Sequence, residues 1–294
     1  MKSKPMMYLT LFFGVFCLSS SAIFVKLSTA PSSITAFYRL LFTAVMLLPV
    51  LIFSKTNRDA LLGITKKQAM QILAAGFLLA VHYVLWFESL RYTSVASSTV
   101  LVTLQPLFSI VWGYLFLKER YSKTALMGCA IAIGGAMIIG WGDFRISGLA
   151  LLGDIMAFAA AGVISGYFLI GQKVRSELPV VPYSVAGFLS SAFFLALYSV
   201  ATGASFTGYD QNTWLAFLGI AFVATICGQF LFNVLLKWLP ATFITMSILG
   251  ESVGTCILAW FILHEVLSLR QIVGIVVILG GLLIFFMNQN KKEA

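Results

Sequence analysis

Ten runs of about 20 apolar residues, separated by short polar gaps, leave most of this chain only one solvent, which is lipid. The runs fall at about 7–25, 32–53, 69–90, 94–116, 124–141, 151–171, 182–203, 213–236, 241–263 and 270–287. A helix of about 20 such residues crosses the roughly 30 Å of hydrocarbon in a bilayer. The composition agrees: 60% of residues are hydrophobic and 10% charged, where a soluble domain carries about a quarter charged, and the mean hydropathy is +0.99. The pattern predicts an all-α polytopic membrane protein with ten transmembrane helices. The longest gap, Ser54 to Gln68, leaves room for a connector and no soluble domain.

The cations fix the expected orientation. Numbering the gaps alternately, one side collects Lys2, Lys4, Lys55, Arg58, Lys66, Lys67, Lys118, Arg120, Lys123, Lys173, Arg175, Lys237, Lys291 and Lys292, and the other holds Lys26, Arg91, Arg145 and Arg270. With Arg39 inside a span, 14 + 4 + 1 accounts for all 19 Lys and Arg. The rule that cytoplasmic loops are enriched in cations then places both termini in the cytoplasm and the chain in the cytoplasmic membrane. The net charge of +9 is this bias rather than a nucleic-acid patch, since the cations lie in separate loops. Cys17, Cys129, Cys227 and Cys256 sit in apolar runs with no paired spacing, so they read as packing residues rather than metal ligands or a disulfide framework. Lys2 and Lys4 before an apolar run ending at Ser19-Ser20-Ser21-Ala22 imitate a signal peptide, but removing that helix would deprive the pattern described next of its first member.

The chain is written twice. Leu117/Leu263, Glu119/Glu265, Ser122/Ser268, Gly128/Gly274, Gly134-Gly135/Gly280-Gly281 and Ile138/Ile284 all repeat at one offset, 265 − 119 = 146. Residues 1–145 and 146–294 are therefore expected to be two five-helix repeats. Five is odd, so the second enters the membrane from the opposite face and the repeats are inverted. Glu119 is flanked by Lys118 and Arg120 while Glu265 is flanked by His264 and Val266, the asymmetry that opposite orientations require.

Thr103-Leu104-Gln105-Pro106-Leu107-Phe108 running to Leu117-Lys118-Glu119-Arg120, and Gly250-Glu251-Ser252 running to Leu263-His264-Glu265, resemble the drug/metabolite transporter superfamily, EamA branch. Tyr38-Arg39-Leu40 after Pro31, and Gly153-Asp154, match further pieces. In that family a Pro commonly follows the polar residue in both copies and the span ends in Gly-Glu. Here Ser252 replaces the second Pro, and Lys118 and His264 stand where Gly is usual. The resemblance covers nearly the whole chain and implies a ten-helix carrier, usually an exporter of small metabolites, with one cavity between its halves.

Ionisable side chains within a span cost about 2.5–3.5 kcal/mol on insertion scales and normally face water or a partner. Arg39, His82, Glu88 and Glu251 qualify. Glu88 and Arg39 could simply neutralise each other. Arg39 lies in the line Thr35–Arg39–Thr43, Glu251 in the line Ser247–Glu251–Thr255, and Trp86 stands one turn beyond His82. Ser94, Ser98, Gln105 and Ser109 share a face with Trp112 just beyond, and Thr225, Gln229 and Asn233 form another stripe. At the repeat offset Gln105 corresponds to Glu251 and Tyr83 to Gln229. The substrate-binding candidates are Arg39, His82, Tyr83, Trp86, Gln105, Trp112, Gln229, Ser247 and Glu251, with Glu251 and His82 also candidates for proton coupling. Plainer readings stand beside these. Ser and Thr bond back to their own helices, Trp86, Trp112 and Trp260 pack or sit at the interface, Glu119 and Glu265 cap or lock loops, and Gly162-x-x-x-Gly166 and Gly250-x-x-x-Gly254 pack helices. Gly140-Trp141-Gly142 lacks the strand and helix that a nucleotide site needs.

The expected function is secondary transport by alternating access, as an exporter driven by a gradient and coupled to H+. One Arg, one or two Glu, amides and aromatics suit an amino acid or similar zwitterion, and also cationic or aromatic compounds. Uptake or exchange of a nucleotide-linked metabolite such as S-adenosylmethionine is the alternative. A membrane-embedded transferase is the competing class, against which stands the lack of any nucleophile–base spacing. The expected partners are a small-molecule substrate and membrane lipid, with the chain a monomer or homodimer. No cofactor, metal or nucleic acid is expected.

Overall fold

A computed structural model describes residues 4–93, 95–140, 148–262 and 268–291. Lys2, Ser94, Trp141, Gly142, Arg145, Leu263, His264, Glu265, Val266 and Lys292 lie outside the described residues. The chain runs back and forth as α1 (Pro5–Leu27), α2 (Ser32–Phe53), α3 (Lys66–Tyr92), α4 (Ser97–Leu117), α5 (Lys123–Ile139), α6 (Gly148–Arg175), α7 (Val180–Ala201), α8 (Gln211–Leu235), α9 (Ala241–Ile262) and α10 (Leu269–Met287). Among the described residues nine of these helices are long and apolar enough to cross a membrane, and α5 is an apolar helix too short for that measure. Helices suit this solvent because each satisfies its own backbone polar groups. The gap after α2 is not bare loop, since it holds a short helix, Lys55–Leu62.

Turn chemistry sets the starts. Pro31, Pro179 and Pro240 stand at the N-caps of α2, α7 and α9 in extended conformation. Thr65 and Gln68 close a reciprocal capping box on α3. Outward faces carry large apolar side chains such as Leu9, Phe116, Phe193 and Val276, while Arg39, His82, Gln105, Asn233 and Glu251 are buried inside. Tyr8 of α1 meets Phe286 of α10 at 6.2 Å between ring centroids, which puts the start of the first helix and the end of the last at one end of the bundle, the terminal end.

The repeats are related by a pseudo-two-fold axis lying across the helices. On α5 and α10 a Cβ at Gly128 would come within 2.8 Å of the Gly281 carbonyl, and one at Gly135 within 2.8 Å of the Gly274 carbonyl. Gly128 is thus opposite the repeat mate of Gly135, and Gly135 opposite that of Gly128, which is possible only if the mates run antiparallel. Only glycine permits that approach. Gly134 and Gly280, next to Gly135 and Gly281, face open space instead.

The same symmetry governs the centre. Helix α4 is interrupted at Thr103–Leu104 and α9 at Leu249, and 103 + 146 = 249. Ser165 of α6 donates to the carbonyls of Ala161 and, at 3.0 Å, Gln105. Its mate Ser19 of α1 donates to those of Val15 and, at 3.3 Å, Glu251. Thr103 and Ser252 hydroxyls meet at 3.1 Å across the axis. Pro106 stands in the first turn of the second segment of α4. Yet α9 breaks at the matching place with Ser252 there, so the break belongs to the repeat and proline only reinforces it.

Candidate functional site

Each break presents a polar side chain to the space between the repeats, Gln105 from α4 and Glu251 from α9. Around them stand Arg39 of α2, His82, Tyr83 and Trp86 of α3, and Gln229 of α8, lining one central cavity of about 20 Å³ closed by apolar residues such as Leu18 and Phe168. That is space for about one water. The structure is therefore an occluded form.

The Arg39 guanidinium is wholly inaccessible to solvent. Its Nε donates to Thr225 Oγ1 at 2.9 Å and its Nη1 to Ser21 Oγ at 2.6 Å, and its Cζ lies 4.5 Å from the Tyr83 ring centroid. Among the described residues no ion pair joins it to Glu251, and Glu88 pairs with Arg91 at 3.1 Å rather than with Arg39. A buried cation held by neutral hydroxyls and a ring face is under-compensated. Thr225 is aimed by an unusual stretch of α8. Residues Ile220–Gln229 form a π-helix, and the Thr225 hydroxyl follows its wider winding by donating to the Ile220 carbonyl, five residues back. Such wide turns are rare and concentrate at functional sites.

Among the described residues, five buried polar atoms around the cavity have no hydrogen-bond partner: Arg39 Nη2, Trp86 Nε1, Gln229 Nε2, Gln105 Oε1 and Glu251 Oε1. Three are donors and two are acceptors. Buried polar groups are ordinarily paired, and leaving each unpaired costs about 1–3 kcal/mol.

His82 has a different attachment. Its Nδ1 lies 3.0 Å from the Ala160 carbonyl, which can only accept, so Nδ1 carries the proton and ties α3 to α6. At the symmetry-related place Gly228 packs on the Gly14 carbonyl with no side chain at all. Of the other candidates, Trp112 lines a lateral groove between α3, α4 and α6, and Ser247 bonds back to the Phe243 carbonyl at 2.9 Å. Neither lines the cavity. Thr43 bonds the Arg39 and Ala221 carbonyls and Thr255 that of Ser19. Asn233 turns to Tyr167 and Ser184. Ser21 is the polar contact that sequence reasoning missed, and nothing in its spacing marked it.

From Gln105 a face of α4 continues through Ser109 and Gly113 toward the terminal end, where a cluster spans the repeats. Glu119 accepts from Gln172 at 3.1 Å, from Thr242 at 3.3 Å and from Tyr121. Tyr121 also meets Thr242 at 2.7 Å, and Gln172 accepts from the Ala241 amide at 2.6 Å. Burial first, then the bond to Glu119, lifts the Tyr121 phenol above the ordinary tyrosine range. The loop-locking reading of Glu119 matches these contacts. Lys118, just before it, adopts φ 57°, the left-handed conformation that glycine takes freely.

Two inverted helical repeats, broken helices at their seam and an occluded polar cavity there define the architecture of a membrane transporter. The EamA-like transporter family matches the chain twice, over residues 5–141 and 151–287, and the chain belongs to that family. It is 23% identical to a Bacillus subtilis (strain 168) protein named uncharacterized transporter YdfC, over 88% of this chain and 83% of that one. It is 26% identical to a probable amino-acid metabolite efflux pump of Escherichia coli (strain K12), over 67% of this chain and 69% of that protein. A solved crystal structure superposes with TM-score 0.81 at 16% identity, covering 99% of this chain and all of that one, which establishes the shared fold.

Proposed function

We propose that this chain is a secondary transporter of the cytoplasmic membrane, with both termini cytoplasmic, that exports an amino acid or similar zwitterion by alternating access in exchange for H+. The observation that carries this reading is the set of five unpaired atoms. A zwitterion is their complement: its carboxylate takes the donors on Arg39, Trp86 and Gln229, and its ammonium takes the acceptors on Gln105 and Glu251. The name of the Escherichia coli relative supports the substrate class. The cation asymmetry supports the orientation.

Binding requires the cavity to grow, which the interrupted helices permit by rocking at Thr103–Leu104 and Leu249. Glu251 is the coupling group: a proton and a substrate ammonium compete for one carboxylate, so loading one releases the other. His82 has a lesser part, since one ring nitrogen is committed to Ala160.

The test is transport in proteoliposomes with a panel of amino acids under an imposed pH gradient. Flux of at least one amino acid is expected, abolished by Arg39→Ala and uncoupled from pH by Glu251→Gln. Full pH-driven flux by Glu251→Gln would refute the coupling, and unchanged substrate affinity in Arg39→Ala would refute the carboxylate assignment.

A further inference from the structure

A large cavity lies on the flank of the molecule, away from the central site. It is a groove of about 650 Å³ between α3, α4 and α6, lined chiefly by apolar residues. Gly162 and Gly166 form part of its wall, Leu78 and Trp112 flank them, and Gln71 and Lys173 also line it, close to the terminal ends of α3 and α6. From Lys173 to Gly162 is eleven residues, about 16 Å along a helix at 1.5 Å per residue. That is close to half of the roughly 30 Å hydrocarbon core, the depth of one leaflet.

The two-fold does not reproduce these features. At the offset of 146, Gly162 becomes Phe16, Ile170 becomes Phe24 and Lys173 becomes Leu27, and the Phe24 ring packs against Gly219. Both the open wall and the cation are thus particular to this flank. Lys173 is exposed and forms no ion pair among the described residues. Lys66, Lys67 and Lys118 stand at the same end, and the one acid beside Lys173 on α6, Glu177, accepts from Gln68 at 3.0 Å, so cations outnumber carboxylates at the end where a headgroup would lie. The glycine spacing read from sequence as helix packing does admit close neighbours, since a Cβ at Gly162 would lie 3.0 Å from the Phe108 ring and one at Gly166 3.2 Å from Leu78 Cδ1, and both glycines also line the groove.

We propose that this groove holds one acyl chain of an anionic phospholipid from the leaflet at the terminal end, with its phosphate on Lys173 and Gln71. A long apolar slot one leaflet deep suits an acyl chain, and the cation selects the headgroup. Because α3 and α4 belong to one repeat and α6 to the other, the lipid sits in the seam between them, and its binding stands independently of the central site's substrate.

The experiment is native mass spectrometry of the full chain, released from micelles containing equal phosphatidylglycerol and phosphatidylcholine. Wild type is expected to retain a single phosphatidylglycerol at least about fivefold over phosphatidylcholine. Gly166→Leu, whose side chain enters the groove, should lower that adduct at least about fivefold, and Lys173→Gln should bring the two lipids to parity. Val276→Leu on the lipid-facing side of α10 should behave as wild type. Equal retention of both lipids by wild type, or a wild-type preference surviving in Lys173→Gln, overturns the proposal. Lys173 is exposed, so that variant decides the matter even if Gly166→Leu does not fold.

Discussion

Glu119→Ala should open the terminal end of the transporter. Glu119 accepts from Tyr121 within its own loop and from Gln172 and Thr242 of the other repeat, and of these three bonds the last two cross between the repeats. Hydrogen bonds to a charged group are worth about 1.5–3 kcal/mol each. Glu119 is half-buried, so solvent screening argues for the low end or below, about 1.5–3 kcal/mol for the two together. At about 1.4 kcal/mol per factor of ten, the closed-to-open ratio at this end should fall roughly 10- to 100-fold. Ser109 reports the change well, since it lies on α4 between Gln105 and the cluster and its hydroxyl is buried without a partner. Ser109→Cys, in a background with the four native cysteines changed to alanine, is labelled with a membrane-impermeant maleimide. If opening is fast relative to labelling, the rate follows the open population and should rise by the same factor. Glu119→Gln, keeping one acceptor oxygen, should fall between. Labelling in Glu119→Ala within twofold of its parent, from protein that remains monodisperse, would refute the assignment of this cluster as the closure.

The same reporter bears on pH. Tyr121 donates to Glu119 only while protonated and burial raises its pKa, so its contribution to closure is present at neutral pH and lost only as pH rises through the raised value. The labelling rate divided by that of Tyr121→Phe at the same pH, a ratio in which the ionisation of the reporter thiol cancels, should stay flat from about pH 7 to about pH 9, below even the ordinary tyrosine value, and a steep rise of that ratio within the window would exclude Tyr121. His82→Ala should lower the thermal midpoint, by about 1–3 kcal/mol from the lost tie to Ala160, while transport keeps its pH dependence; loss of that dependence would move the coupling role to His82. Lys118→Gly should be stabilising by about 0.5–1 kcal/mol, relieving left-handed backbone in a non-glycine residue net of glycine's entropy, read as a higher melting temperature. Gly281→Val should prevent α5 and α10 from meeting, since even a Cβ there would lie 2.7 Å from the Gly128 carbonyl, and should appear as loss of folded protein on size exclusion.

Much of the fold was legible because its signals are periodic or repeated. The apolar runs and the offset of 146 located the helices to within a few residues and related α5 to α10. Seven of nine candidate side chains converge on one cavity for the same reason: a costly polar group within a span marks water or a partner. Trp112 and Ser247 fail for a reason of geometry. A shared helical face fixes direction but not depth, and Trp112 lies seven residues past Gln105, about 10 Å further along the axis, by which point α4 borders the lateral groove. The stripe Thr225–Gln229–Asn233 likewise divides among three destinations, because the π-helix alters the winding of α8 and nothing in Ile220–Gln229 announces it.

What the symmetry preserves and what it abandons separates scaffold from chemistry. Ser19 and Ser165 make equivalent bonds to the breaks, and Gly128, Gly135, Gly274 and Gly281 make equivalent approaches. Those pairs hold the two halves in register and have no reason to differ. At the cavity every mate differs: Glu251 against Gln105, Gln229 against Tyr83, and Val185 against Arg39. A cavity obeying the two-fold would offer a ligand the same groups twice, and a molecule with a carboxylate at one end and an ammonium at the other would gain nothing from it. Placing the lone guanidinium on α2 and the lone carboxylate on α9 gives the cavity one cationic and one anionic side, which is the asymmetry a zwitterion needs.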